Sequence, residues 1–174
     1  MKNLALIVVL ALPATTLASE TTLYGSAGVL GELDVIGFGA TYTPGRVGLG
    51  ITFDYGQKTS GGHTGIFPDI DVEKSHFERE VFRLGVSVPY KVNSIFTVAP
   101  NIGVTKYKVT DTYTRTQNGV VVDSYDNSYD NVTFSPGVDV FGFLDTLVIG
   151  ASLYGMDIGD GYETFAKVNL GYKF

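Results

Sequence analysis

The strongest constraint in this chain is a period of two. Between residue 22 and residue 174, apolar residues alternate one by one with small or polar residues in segment after segment, and no stretch beyond residue 18 keeps a helical period. Side chains of a β-strand point alternately to its two faces, so each such segment describes a strand with one apolar and one small or polar face. In residues 47–55, Val47, Leu49, Ile51, Phe53 and Tyr55 share a face, and Gly48, Gly50, Thr52 and Asp54 share the other. Residues 34–43 oppose Ile36, Phe38, Ala40 and Tyr42 to Gly37, Gly39 and Thr41. Residues 78–90 oppose Phe82, Leu84, Val86, Val88 and Tyr90 to Arg79, Arg83, Gly85 and Ser87. Residues 96–105, 132–140, 147–155 and 163–174 continue the pattern, and residues 22–30 add a strand whose phase is blurred by Gly25 and Gly28. Eight strands are expected.

A soluble β-sandwich also alternates, with its apolar face turned inward. Three features favour a barrel turned the other way. The polar faces are rich in Gly, Ser and Thr with few charges, which suits the crowded interior of a narrow barrel. Tyr42, Tyr55, Tyr90 and Tyr172 sit toward the ends of the apolar faces, where an aromatic girdle meets a membrane interface. The connections alternate between short turns at residues 43–46, 91–94 and 143–146 and long polar segments at residues 56–75 and 106–131. Outer-membrane barrels divide their connections in this way, whereas a sandwich has no reason to. Spanning strands of about 9 to 11 residues fit the length available. The expected fold is therefore all-β: an antiparallel eight-stranded transmembrane β-barrel with long second and third extracellular loops.

The first 18 residues read as a signal peptide. Lys2 supplies the positive start, Leu4 to Leu12 the apolar run, Pro13 the break, and Thr16-Leu17-Ala18 a small-residue cleavage site. The run is well short of the roughly 20 apolar residues of a spanning helix. The barrel domain is expected to occupy residues 19–174. Losing residues 1–18 removes Lys2 and no acid, which takes the formal charge from −6 to −7. That balance, without a cluster of Lys and Arg, argues against a nucleic-acid partner. With no cysteine, disulfides and thiolate metal sites are excluded.

The last strand carries the most specific pattern. Ala166, Val168, Leu170, Tyr172 and Phe174 fall on one face, and Lys167, Asn169, Gly171 and Lys173 on the other. This resembles the terminal assembly signal of bacterial outer-membrane barrels, and the resemblance implies recognition of Leu170, Tyr172 and Phe174 by the barrel-assembly machinery. In the long segment at residues 106–131, the third outer loop, Asn118-Gly119 between β-prone runs is a two-residue hairpin signal, so that segment is expected to continue as a ribbon above the membrane. Four adjoining strands would then project as a fin. The arrangement is similar to the OmpX/Ail group of eight-stranded adhesion and invasion barrels within the wider opacity-protein family. The resemblance covers residues 19–174 as architecture and carries over no functional residue. It implies the outer membrane of a Gram-negative bacterium, with both termini periplasmic.

Asp54, Arg79, Arg83, Asn101, Asp139, Glu163, Lys167 and Asn169 are expected to face the lumen. An eight-stranded interior is just wide enough for side chains, so a paired, hydrogen-bonded filling is expected there in preference to a conduction path or a catalytic constellation. His63 and His76 lie in no recognisable nucleophile motif, and no catalysis, cofactor or metal is expected. The acids at Asp69, Asp71 and Glu73 and at Asp123, Asp126 and Asp130 lack the spacing of a calcium loop. The tandem SYDNSYDN of residues 124–131, with Tyr113, offers Tyr113, Tyr125 and Tyr129 as a candidate recognition patch. The expected function is a surface-recognition or adhesion barrel, with a narrow channel for small solutes or ions as the alternative. Its partners would be outer-membrane lipid and lipopolysaccharide, the assembly machinery and an unidentified surface ligand. A monomer is expected, because closure removes the free edges that demand pairing.

Overall fold

The computed structural model describes residues 20–66, 71–157 and 161–174. The expected signal peptide at residues 1–18 lies outside the described residues, as do residues 67–70 of the 56–75 segment and residues 158–160. Alternation becomes strand throughout: β1 (Glu20–Leu30), β2 (Leu33–Thr43), β3 (Leu49–Ile66), β4 (Asp71–Ser87), β5 (Tyr90–Asn93), β6 (Phe96–Gln117), β7 (Val120–Leu144), β8 (Leu147–Asp157) and β9 (Tyr162–Lys173). All neighbours are antiparallel. Where two residues must reverse the chain, they take positive φ: Asn118 at 51° and Gly119 at 76° between β6 and β7. Both central residues of a type I′ turn need that conformation.

The sheet runs β4-β3-β2-β1-β9-β8-β7-β6, and β4 pairs with β6 to close it. The short β5 continues the line of β4. Both pair with β6, and between them lies Pro89, which has no N–H to give to the ladder. The molecule is thus an eight-stave barrel, and closure rules out the sandwich.

Register fixes the shape. Starting at Ala99 on β6, successive cross-strand partners are Asp139, Ser152, Lys167, Gly28, Val35, Gly56, Val81 and then Tyr107, again on β6. One circuit climbs from residue 99 to residue 107, a shear of eight. Eight strands at this shear tilt by about 36°. An 11-residue strand such as β1, β2 or β8 then climbs roughly 30 Å, which covers an apolar band of roughly 25 Å.

The barrel is inside-out relative to a soluble protein. Phe38, Leu49, Phe134 and Val168 are each more than 60 % exposed on the outer wall, while Asp54 and Arg83 are 1 % exposed inside. Tyr42, Tyr90 and Tyr172 face outward near the 44–46, 94–95 and 145–146 turns, and Tyr55 and Tyr162 near the opposite rim. An apolar wall bounded by tyrosines matches hydrocarbon between two interfaces.

The long segments carry the expected ribbon further, along both arms of each. Residues 56–66, 71–75, 106–117 and 120–131 are strand, not loop. Their Thr, Tyr and Val content is β-prone although polar, and β4 and β6 have a partner on both sides that satisfies the backbone. Four strands therefore rise past the rim as a single fin.

Candidate functional site: filled lumen and projecting fin

Inward-facing residues of β3, β4, β6, β7 and β9 meet at mid-height. Lys167 Nζ donates to Asp54 Oδ1 at 2.5 Å, and Arg83 Nη1 lies 3.5 Å from Asp54 Oδ2. Arg83 also donates through Nε to Ser135 Oγ (2.7 Å), through Nη1 to Thr52 Oγ1 (3.2 Å) and through Nη2 to Asn101 Oδ1 (2.6 Å) and the Ser135 carbonyl (3.1 Å). Asn101 Nδ2 donates to Asp139 Oδ2 at 2.9 Å, and the Tyr154 hydroxyl donates to Asp139 Oδ1. The Arg83 guanidinium lies 3.7 Å from the Tyr154 ring centroid. Two cations and two carboxylates share the layer, so its formal charge balances: Asp54 is ion-paired with both cations, and Asp139 is held by hydrogen bonds from Asn101 and Tyr154. Gly103 makes room for it: a Cβ there would lie 2.7 Å from Arg83 Cζ and Nε.

Four expected network residues, Asp54, Arg83, Asp139 and Lys167, are thus brought together with Asn101. Asn169 Nδ2 donates to Ser152 Oγ at 2.7 Å nearby. Arg79 and Glu163 are a correction. They have the inward parity but lie higher on their strands, half-buried at the mouth. The Arg79 guanidinium packs 4.7 Å from the Phe77 ring, and Glu163 sits beside Gly31.

Apolar layers cap the polar one on both sides, a feature the sequence reading missed. Toward the fin, Leu30, Leu33, Val35, Val81, Tyr107 and Phe165 belong to one buried cluster. Toward the opposite end, Tyr24, Ala99, Phe141 and Val148 form another, with Tyr24 and Phe141 rings 5.0 Å apart. The signal was present in the inward parity of Val81 and Tyr107, but the polar residues sharing that face obscured it.

In the fin, the tandem repeat is sorted by the pleat. Tyr125, Asn127, Tyr129 and Asn131 continue the inward parity of Ser135, and Ser124, Asp126, Ser128 and Asp130 take the outer face. Thr110, Thr112 and Thr114 lie opposite Ser128, Asp126 and Ser124 on that outer face. Tyr113 and Tyr125 are direct cross-strand partners with rings stacked at 5.5 Å and 19°. The Tyr125 hydroxyl donates to Asp111 Oδ2 at 3.2 Å. That hydrogen bond, then burial, then the Asp111 charge, raise the Tyr125 phenol above its ordinary range. At the fin base, the hydrogen bond and charge of Lys58, at 2.9 Å, hold Glu32 below the usual carboxylate range.

The loop acids have cationic neighbours. Asp130 pairs with Lys106 at 2.8 Å, Glu73 lies 4.0 Å from Arg115, and Asp123 is the register partner of Arg115. Among the described residues, no group of three or more His, Asp or Glu is arranged to hold a metal. His76 is exposed on the outer face of the fin; the side chains of His63, Asp69 and Asp71 lie outside the described residues.

The last strand completes closure. Phe174 N donates to the Thr21 carbonyl at 2.8 Å, while Leu170, Tyr172 and Phe174 face outward, with the last two rings edge-to-face at 4.9 Å.

The backbone matches solved outer-membrane barrels. Ail, the attachment invasion locus protein of Yersinia pestis, in complex with the heparin analogue sucrose octasulfate, superposes with a TM-score of 0.62 at 12 % identity over 90 % of this chain and 97 % of that one. This chain has the fold of the small eight-stranded outer-membrane barrels. A major outer membrane protein from Thermus thermophilus gives 0.58 at 14 % identity over 90 % and 100 %, and the N-terminal β-barrel domain of Pseudomonas aeruginosa OprF gives 0.54 at 12 % identity over 89 % and 97 %. No protein-family model and no curated sequence matches the chain. At these identities the likeness to Ail is one of fold, and the sucrose octasulfate in that complex belongs to Ail.

Proposed function

We propose that this chain is a cell-surface recognition or adhesion barrel of the bacterial outer membrane, held by its apolar wall and acting through its fin. Residues 1–18 direct export, the assembly machinery recognises β9 through Leu170, Tyr172 and Phe174, and both termini remain periplasmic as a monomer. The observation that carries this reading is the fin itself. Residues 120–136 of β7 have β6 on one side and no described strand on the other, because pairing with β8 begins at Gly137. A long strand edge set above a membrane is an interaction surface.

The competing channel reading needs a water path through three filled layers. Replacing residues 110–129 by a direct Asn-Gly turn tests the two together. Adhesion of bacteria to host cells or matrix is expected to disappear while the barrel still shifts on an unboiled gel. Undiminished adhesion overturns the proposal. Reproducible unitary steps from the intact protein in planar bilayers would establish the channel instead.

A further inference from the structure

Resting on the reading of the fin as the recognition element, we propose that the inward-parity face of its β6–β7 hairpin binds a short uncharged glycan. Tyr125 and Tyr129 are the stacking platforms, and Asn127 and Asn131 are the amides that read hydroxyl groups.

Three observations select this ligand chemistry. Tyr125 and Tyr129 are 49 % and 44 % exposed, and four residues of strand set them about 13 Å apart, the reach of a short oligosaccharide. Rings of this kind pack against the flat C–H faces of a sugar, and asparagines alternating with them supply both donors and acceptors. Preorganisation is the second. Tyr125 is held on one side by the Tyr113 ring and at its hydroxyl by Asp111, so little side-chain freedom remains to be lost on binding.

Charge is the third. On or beside this face, Lys58 is paired with Glu32, Arg115 with Glu73 and Lys106 with Asp130. A sulfated or phosphorylated chain needs cations free to meet it; these three are ion-paired, and Arg79, two strands across from Tyr129, is half-buried with its guanidinium laid on the Phe77 ring. A peptide would need pockets for its side chains, which a sheet face carrying Tyr and Asn in alternation does not offer. The glycan has two possible sources with one chemistry: a foreign surface, or the neutral sugars of neighbouring lipopolysaccharide.

The test places the refolded barrel in phospholipid nanodiscs and in nanodiscs containing lipopolysaccharide, over immobilised neutral, sialylated and sulfated oligosaccharides. Neutral sugars are expected to be retained in phospholipid discs, with affinity changing by no more than about twofold between low and high salt. Tyr125→Ala and Tyr129→Ala should each weaken binding roughly tenfold, and Tyr129→Phe should keep it. An unboiled gel shift verifies folding of each variant. Retention equal in both discs points to a foreign glycan; loss in the lipopolysaccharide discs points to the bacterium's own sugars. Either outcome supports the proposal. Binding confined to sulfated or sialylated sugars, neutral binding indifferent to both tyrosines, or no neutral binding overturns it. If adhesion is nevertheless lost on trimming the fin, the recognition function stands and only the glycan assignment falls.

Discussion

Arg83 and Asp54 show how parity and height together decide a residue's role. Parity along the strand puts Asp54, Arg79, Arg83, Glu163 and Lys167 on one face, and that much is legible from alternation alone. Height is set by the shear, which no single strand displays. Arg83 and Lys167 converge on Asp54, while Arg79 and Glu163 stop at the mouth. Replacing the shared carboxylate, Asp54→Asn, leaves two buried cations facing a neutral amide and is expected to cost about 3–5 kcal/mol. Urea unfolding in lipid or detergent measures it, and a loss below about 1 kcal/mol would mean that the layer contributes little. In the fin, the bond to Asp111 favours the neutral Tyr125 phenol. Its stabilisation is complete below the ordinary phenol value of 10.0 and is lost as pH rises through the higher folded value. In a ring-carbon NMR titration, Asp111→Ala should bring Tyr125 back down toward that ordinary value; an unchanged titration would remove the hydrogen bond from the explanation.

Among the elements, the β6–β7 hairpin divides what the sequence discloses from what it hides. Asn118-Gly119 announces its turn, because few other pairs take positive φ twice at low cost. The length of its arms is hidden. The turn announces a ribbon but not how many residues join it: Thr110, Thr112 and Thr114 are polar, and their β preference decides because β4 and β7 flank them. Gly119→Val should destabilise the hairpin by about 1–2 kcal/mol. Hydrogen exchange should quicken at residues 112–123 and stay unchanged in β1, β2, β8 and β9. Exchange that quickens across the whole barrel would show that the fin is part of the same cooperative unit.

For the molecule as a whole, the layers make one statement: apolar outside, and inside an apolar layer, a polar girdle of balanced formal charge and a second apolar layer. The outer wall was legible from period two. The inner apolar layers were not, since Leu30, Val81, Tyr107 and Phe141 share their faces with the polar residues that mark the lumen, and the blurred phase of β1 hid Tyr24 as well. A filled, lipid-embedded barrel makes a single pattern along β9. In nanodiscs, backbone and side-chain NMR signals should be compared with a lipid-soluble and with a water-soluble paramagnetic agent. Val168 and Leu170 should broaden with the lipid-soluble agent alone, while Lys167 and Asn169 between them should resist both. Broadening of Lys167 and Asn169 by the water-soluble agent would mean an open lumen, and broadening of Val168 and Leu170 by it would mean that the wall does not face lipid.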